Sequence, residues 1–198
     1  MGNTLALTPG RRNGDRSSRN VVRAERLFLE FLVDGSHLGV LLGPHLGLAD
    51  TTTEYVPVLV TNRPSGVAVD DVRRLIGAMP SPGLNGRTAL YVCAECGDLG
   101  CGGVTVNVRI EDDEVAWYDF GYQNDYEPFD AAEAVFSEVG PFRFDRTAYT
   151  ALLEGFLTDP RSTGPAGSMT VVRRQAAVVL QRSYRSDTQR AGVRATGR

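Results

Sequence analysis

All three cysteines of the chain lie close together, at Cys93, Cys96 and Cys101 in the segment CAECGDLGCGG. The glycines of this segment let backbone amides turn toward a thiolate-bound ion, as they do in a zinc knuckle. Cys93 ends one predicted strand and Cys101 precedes the next, so the thiols should converge across the top of a hairpin. The spacing therefore predicts a zinc site held by the three cysteines.

A structural zinc site has four protein ligands, and the cysteines supply three of them. The fourth ligand is expected from one of the two histidines, His37 or His45, and we place His37 in the predicted ligand set. Asp98 and Glu95 lie nearer in the sequence but are weaker ligands for this site.

Two other roles of the cysteines stay open. A CxxC pair can be redox-active, but thioredoxin-like pairs begin a helix whose dipole lowers the thiol pKa, whereas predicted strands flank this pair. The cysteines can also be small, reduced, unliganded residues of a tight loop. Other catalytic signatures are absent from the sequence, which contains no GxGxxG after a strand, Walker loop, HExxH or GxSxG. We therefore predict no catalytic residue.

A second candidate site is the acidic, aromatic segment WYDFGYQNDY. Tyrosine and tryptophan rings bring large contact areas with a polar group at one end, and about half of these rings should belong to the core. The rest predict a surface that binds a basic partner protein. The predicted contact residues are Trp117, Tyr118, Asp119, Tyr122, Asp125 and Tyr126.

The elements that must position these residues form a mostly antiparallel sheet. Residues 88–120 alternate as a meander of three strands, with Val106 and Val108 toward the core and the acidic residues 111–114 in a turn. The other predicted elements are a strand at 26–33, an Asp34-Gly35 hairpin turn, a second strand from His37, an edge strand at 55–60, a helix at 69–79 that Pro80 ends, and a helix at 144–157 with Asp145 as its N-cap and Phe144 as a staple. We expect an α+β fold with one or two helices packed on the sheet.

Charge divides the chain into three parts. Residues 1–25 and 159–198 are rich in arginine and poor in apolar periodicity, which predicts a disordered basic N-terminus and a flexible C-terminal tail. Residues 27–157 contain 20 acidic and seven basic residues, a formal charge of −13, in the single predicted domain 26–158. An acidic domain repels phosphate, which argues against nucleic acid as its partner. No apolar run approaches the ~18 residues of a membrane span and no secretory signal is present, so a cytoplasmic protein is expected.

Several segments together resemble a family. The first strand with its Asp-Gly turn, the loop CGDLGCGGVTV, the strand with WYDFGY and the segment GPFRFDRTAY are similar to a group of small uncharacterised actinobacterial proteins. The resemblance covers residues 27–157. Some members are labelled oxidoreductases, and the resemblance implies a fold and lineage but no residue role.

The favoured function is a non-enzymatic binding protein, of the immunity or antitoxin type, that uses the acidic aromatic surface. The alternative is a thiol- or metal-dependent oxidoreductase that uses Cys93, Cys96 and Cys101.

Overall fold

The computed structural model describes residues 2–17, 20–46, 54–63, 67–81, 83–129 and 136–158, and the predicted tail 159–198 lies outside them. The strands, in chain order, are β1 (Leu5–Arg12), β2 (Asp15–Ser17), β3 (Asn20–Arg23), β4 (Arg26–Val33), β5 (Ser36–His37), β6 (Tyr55–Pro57), β7 (Thr88–Cys93), β8 (Gly103–Ile110), β9 (Glu114–Gln123) and β10 (Phe142–Asp145). The helices are α1 (Leu38–Leu42), a 3₁₀ turn (Gly43–Leu46), α2 (Val67–Leu75) and α3 (Arg146–Thr158). None of the described helices is long and apolar enough to cross a membrane.

The described strands pair antiparallel, which confirms the predicted α+β class with its mostly antiparallel sheet. One sheet has the order β10-β9-β8-β7-β6 and contains the predicted meander, while a second has the order β1-β4-β5. A short ribbon pairs β2 with β3. The predicted edge position near Pro57 is confirmed, because β6 is the last strand of the larger sheet and proline cannot donate to a further strand.

The two larger sheets are joined by the segment that follows β6. The amide of Val58 donates to the carbonyl of Leu90 in β7 at 2.9 Å. Farther along the segment, Leu59 accepts from the Leu29 amide of β4 at 3.0 Å. The segment thus leaves one sheet and continues on the other, so the strands curl around a shared core.

Trp117 of β9 lies at the centre of that core and is fully buried. Its indole meets the rings of Phe31, Phe144 and Tyr149 edge-on, at centroid distances of 5.5, 5.1 and 5.9 Å. The indole nitrogen donates to the Tyr149 hydroxyl at 3.1 Å, and this hydroxyl donates to the Leu75 carbonyl at 3.0 Å. Trp117 therefore contacts both sheets and α3 directly and is linked to α2 through the Tyr149 hydroxyl, and its indole N–H has a hydrogen-bond acceptor.

The start of α3 follows the sequence prediction. The Asp145 carboxylate accepts from the amide of Ala148 at 2.8 Å, which makes it the N-cap. Phe144 stacks on Tyr149 at 5.8 Å between centroids, so the predicted staple is confirmed. Phe144 itself belongs to β10 rather than to the helix.

The predicted disorder of residues 1–25 is wrong for the described part of that segment. β1 pairs with β4 along its whole length, from Leu5 opposite Val33 to Arg12 opposite Arg26. Pro9 and Gly10 argue against a strand in the sequence, but β1 is a sheet edge where proline is tolerated. A Cβ at Gly10 would come within 2.2 Å of the Phe28 ring, so the glycine makes room for a core side chain.

Two predicted element boundaries are also wrong. The strand expected from His37 lasts only through β5, and α1 follows it, because Leu38 and Leu42 are both buried whereas Val40 is 71% exposed. Residues four apart share a helix face, while 38, 40 and 42 would share a strand face. Helix α2 ends before Pro80: Gly77 has φ 74, and the next amide, that of Ala78, donates back to Arg73 at 2.8 Å as in a Schellman motif.

The buried face of β1 gives a direct test of the N-terminal strand. Leu7 is 4% exposed, so Leu7→Ala should lower the free energy of unfolding by about 2–4 kcal/mol in urea denaturation, because it leaves a cavity. Leu27→Ala is the matched control, since Leu27 is 39% exposed and its truncation should cost less than about 1 kcal/mol. Equal effects of the two variants would show that β1 does not pack on the core.

Candidate metal centre

The three cysteines converge as the sequence predicts. Cys93 is the last residue of β7, and Cys96 and Cys101 lie in the loop that leads to β8. Their sulfur atoms all lie within 4.8 Å of one another, with 3.2 Å between Cys96 Sγ and Cys101 Sγ, and all three are free thiols. Tetrahedral zinc with Zn–S bonds of about 2.3 Å separates its sulfurs by about 3.8 Å. The cluster is therefore close enough to bind a metal ion.

A tight turn after Cys93 directs backbone amides at the first sulfur. Gly97 has φ 75, which glycine adopts without steric cost, and its amide donates to the Cys93 carbonyl at 2.7 Å. The amides of Cys96 and Glu95 both hydrogen-bond to the Cys93 thiol. Burial raises the pKa of Cys93, but these bonds and those from the other two thiols outweigh it, so the net shift of the pKa is downward.

Cys96 shifts in the opposite direction. Hydrogen bonds to the thiols of Cys101 and Cys93, together with the negative charge that Cys93 carries when ionised, raise the pKa of Cys96 to about 12. Sulfurs this close cannot all ionise without a cation between them, because like charges repel. A bound metal ion would displace the shared protons and balance the charge.

Two arginines from other parts of the chain hold the outer side of the turn. Arg26 donates to the carbonyls of Ala94 and Glu95 at 2.7 and 2.9 Å. Arg63 donates to the carbonyls of Cys96 and Gly97 at 2.7 and 2.6 Å. We call Arg26 and Arg63 the arginine clamp. Four successive carbonyls thus face the clamp, whereas the amides of Glu95 and Cys96 face the Cys93 sulfur.

Glu95, one of the two nearby carboxylates, is bound elsewhere. Its Oε1 accepts from Arg12 of β1 at 2.7 Å, and its Oε2 accepts from the amide of Ala24 at 3.2 Å. The other, Asp98, accepts from the amide of Gly100 at 3.0 Å within the loop. Among the described residues, Cys93, Cys96 and Cys101 are the group of potential ligands brought together here.

His37 is not a fourth ligand, and its prediction is wrong. It pairs with Leu32 near the end of β4, whereas the clamp residue Arg26 begins that strand. At about 3.3 Å per residue, Arg26 and Leu32 lie roughly 20 Å apart along β4, so His37 is at the end of the strand that is remote from the cysteine loop. The sequence places His37 near a hairpin, but the antiparallel pairing puts that hairpin at the far end of β4. The side chain of the alternative, His45, lies outside the described part of the chain.

Two tyrosines support the loop, Tyr122 from β9 and Tyr55 from β6. Tyr122 donates its hydroxyl to the Cys101 carbonyl at 3.0 Å, and Tyr55 donates to the Tyr122 hydroxyl at 3.2 Å. Burial and the Tyr122 hydrogen bond raise the pKa of Tyr55, so it stays a neutral donor. Gly102 is needed beside them, since its φ is 85 and a Cβ there would lie 2.0 Å from the Tyr122 hydroxyl. Sequence reasoning missed Tyr55 and the clamp, because long-range pairing alone brings them here.

The predicted acidic aromatic surface divides between core and solvent. Trp117 is buried in the core, so its predicted role in partner contact is wrong. Tyr118 is half-buried and Asp119 is exposed, and both line a cavity. Tyr122 is 40% and Tyr126 70% exposed, and Asp125 is also exposed. Tyr122, Asp125 and Tyr126 are therefore the exposed residues of the predicted acidic aromatic surface that lie outside the cavity wall.

The opposed pKa shifts of two cluster thiols can be measured by alkylation. Only the thiolate reacts with iodoacetamide, so in the metal-free protein Cys93 should be modified at lower pH than Cys96. Tandem mass spectrometry of digests quenched at different pH values assigns each site. In urea the two thiols should react alike, since the loop hydrogen bonds are lost. Faster modification of Cys96 in the folded protein would contradict the described hydrogen bonds.

In comparisons with known proteins, no family model, curated protein or solved structure matches this chain. The resemblance to the actinobacterial group therefore stays a prediction. The chemistry of the thiol cluster follows from its own distances, hydrogen bonds and charges, which describe a three-sulfur centre able to accept a metal ion.

Proposed function

We propose that this chain is a zinc-binding protein in which Cys93, Cys96 and Cys101 hold Zn²⁺ and an external ligand or water completes the coordination. The mutual approach of three free thiols within 4.8 Å carries the proposal. Thiolates are soft ligands, which favours zinc over calcium or magnesium, whose sites are built from oxygen atoms. Zinc also has no geometric preference from its d electrons, and a shift of about 0.6 Å between the Cys96 and Cys101 sulfurs reaches its tetrahedral separation.

The charges around the cluster favour a zinc–thiolate centre. Zn²⁺ bound to three thiolates keeps one net negative charge. The arginine clamp places two guanidinium groups on the carbonyls of the same turn, and amide hydrogen bonds already lower the pKa of Cys93. Positive charge and amide donors both stabilise a centre with excess negative charge.

The outer side of the cluster is accessible. Cys96 and Cys101 are exposed, whereas Cys93 is half-buried at the end of β7. The fourth coordination position thus faces solvent, where water or a donor from another molecule can enter. Three protein ligands with an open position are typical of zinc sites that bind a further ligand. Free thiols fit the reducing cytoplasm that we propose as the compartment.

The zinc proposal makes a prediction for each cysteine. Cys93→Ser, Cys96→Ser and Cys101→Ser should each lose at least about tenfold in Zn²⁺ affinity, because every ligand serves one site. The measurement is competition with a chromogenic chelator, together with elemental analysis of protein purified without a metal-binding tag. His37→Ala is the matched control and should retain full zinc binding, as His37 lies far from the cluster.

The same experiment separates zinc binding from thiol redox chemistry. Cys96 Sγ and Cys101 Sγ lie 3.2 Å apart, so a two-electron oxidant such as diamide could close a disulfide between them, with diamide reduced to its hydrazine. A metal-free protein that does not bind added zinc and forms this disulfide would support the oxidoreductase alternative and contradict the zinc proposal.

A second candidate function is binding of a basic partner protein, as an immunity or antitoxin-like factor, through the acidic aromatic surface. Tyr126 is 70% exposed beside Asp125, and residues 27–157 carry a formal charge of −13. Tyr122 joins this surface to the metal centre through its bond to the Cys101 carbonyl. A zinc-held loop would therefore fix one ring of the surface before a partner arrives, which lowers the entropy cost of binding.

This second candidate predicts a salt-sensitive complex. Tyr126→Ala removes an exposed aromatic anchor, and Asp125→Asn removes a carboxylate that would pair with a basic partner. Each variant should weaken the capture of a basic protein from the cells that produce this chain at least about fivefold. Val40→Ala is the matched control, because Val40 is equally exposed but belongs to α1. Capture that survives both surface variants would rule out this surface as the binding site.

A further inference from the structure

A cavity separate from the thiol cluster lies on the meander and has no role in the proposed zinc function. Its volume is about 670 Å³, within the range of small-molecule sites. The strands β8 and β9 form part of its wall, and residues 85, 87, 129, 136, 137 and 139–141 complete the described lining. Its described wall combines aromatic rings with a few polar side chains, which is the composition of a ligand pocket.

Arg87 brings a buried positive charge to this wall. The side chain is 3% exposed, and its Nε donates to the Thr105 hydroxyl at 2.8 Å. Its Nη2 donates to the carbonyls of Thr105, at 3.0 Å, and Asp119. The Phe129 ring lies 3.7 Å from the guanidinium carbon. All of these acceptors are neutral, and no described carboxylate forms a direct ion pair with Arg87. The Asp119 carboxylate acts on the guanidinium through space only, so Arg87 can still bind an added anionic group.

Asp119 brings a carboxylate to the same cavity through a backbone irregularity. Thr105 pairs with Gly121 whereas Asn107 pairs with Tyr118, so β9 contains one extra residue at this point. Asp119 has φ 52, and its Oδ2 accepts from the Asn107 amide group at 3.1 Å. Bulges re-aim side chains and are enriched beside ligand sites. Asn85, which also lines the cavity, has φ 52 as well.

Most of the remaining described wall is apolar, and three of its residues are phenylalanines. Phe120, Phe129 and Phe136 all line the cavity. Such a wall takes an apolar or aromatic group, whereas one guanidinium and one carboxylate take groups of opposite charge. A ligand with a single charge would leave one of the two protein charges unmatched.

From these contacts we infer that the cavity binds a small zwitterion of the α-amino acid class with an apolar or aromatic side chain. The ligand carboxylate lies toward Arg87, its ammonium group toward Asp119, and its side chain against the phenylalanine rings. Binding forms no covalent bond and is independent of the zinc site.

The test uses three probes that differ by one charged group. L-phenylalanine has both groups, phenylpropanoate lacks the ammonium group, and phenethylamine lacks the carboxylate. In isothermal titration calorimetry with the full chain, L-phenylalanine should bind at least about tenfold more tightly than either analogue, since each loses a charge-assisted hydrogen bond. Equal affinities for the three probes, or no L-phenylalanine binding at millimolar concentration, would overturn the inference.

A protein variant tests the carboxylate side of the site. Asp119→Asn should weaken L-phenylalanine binding at least about tenfold while leaving phenylpropanoate binding no weaker, because only the ammonium group loses its partner. Asparagine tolerates a positive φ as aspartate does, so the bulge is kept. Asp112→Asn is the matched control, an exposed carboxylate of the turn between β8 and β9 that lies outside the described cavity wall. Unchanged L-phenylalanine affinity in folded Asp119→Asn would refute the proposal, and the probe series gives an answer in the unmodified chain even if this variant does not fold.

Discussion

The buried indole of Trp117 is the contact on which the rest of the described fold depends. An indole N–H inside a core must find an acceptor, because leaving a buried donor unpaired costs about 1–3 kcal/mol. Here the acceptor is the Tyr149 hydroxyl, which in turn donates to the Leu75 carbonyl at the end of α2. This chain of two hydrogen bonds fixes α3 against β9 and α2 against α3. The Phe31 ring packs β4 against the same indole.

The position of the thiol cluster depends on that core through β4. The strand places Phe31 against Trp117 and, at its other end, places Arg26 on the carbonyls of the cysteine loop. Since a strand rises about 3.3 Å per residue, the two positions are roughly 16 Å apart, and packing at one end holds the register at the other. The N-terminal strand contributes in the same way, as Arg12 of β1 binds Glu95 and keeps that carboxylate off the sulfurs.

The meander carries the thiol cluster at one connection and part of a cavity wall farther along β9. At the β7–β8 connection, glycines permit a turn that points amides at Cys93. Farther along β9, the extra residue Asp119 interrupts the ladder and brings a carboxylate to the wall of a cavity that also holds Arg87. Both features depart from regular strand geometry and both put charged or ionisable groups at the surface of a rigid sheet. Such departures from regular strand geometry are stable only where the surrounding packing holds them in place.

The sequence by itself determined the features that depend on neighbours in the chain. The Asp34-Gly35 turn, the Asp145 cap, the Phe144 staple and the convergence of the three thiols all follow from spacing over a few residues. Only the tertiary structure decided the features that depend on what covers a residue: the strand formed by Leu5–Arg12, the burial of Trp117 and the distance of His37 from the sulfurs. The physical reason is that a short-range pattern fixes local backbone geometry, whereas burial and ligation require partners distant in the sequence, and their approach is set by the packing of the whole core.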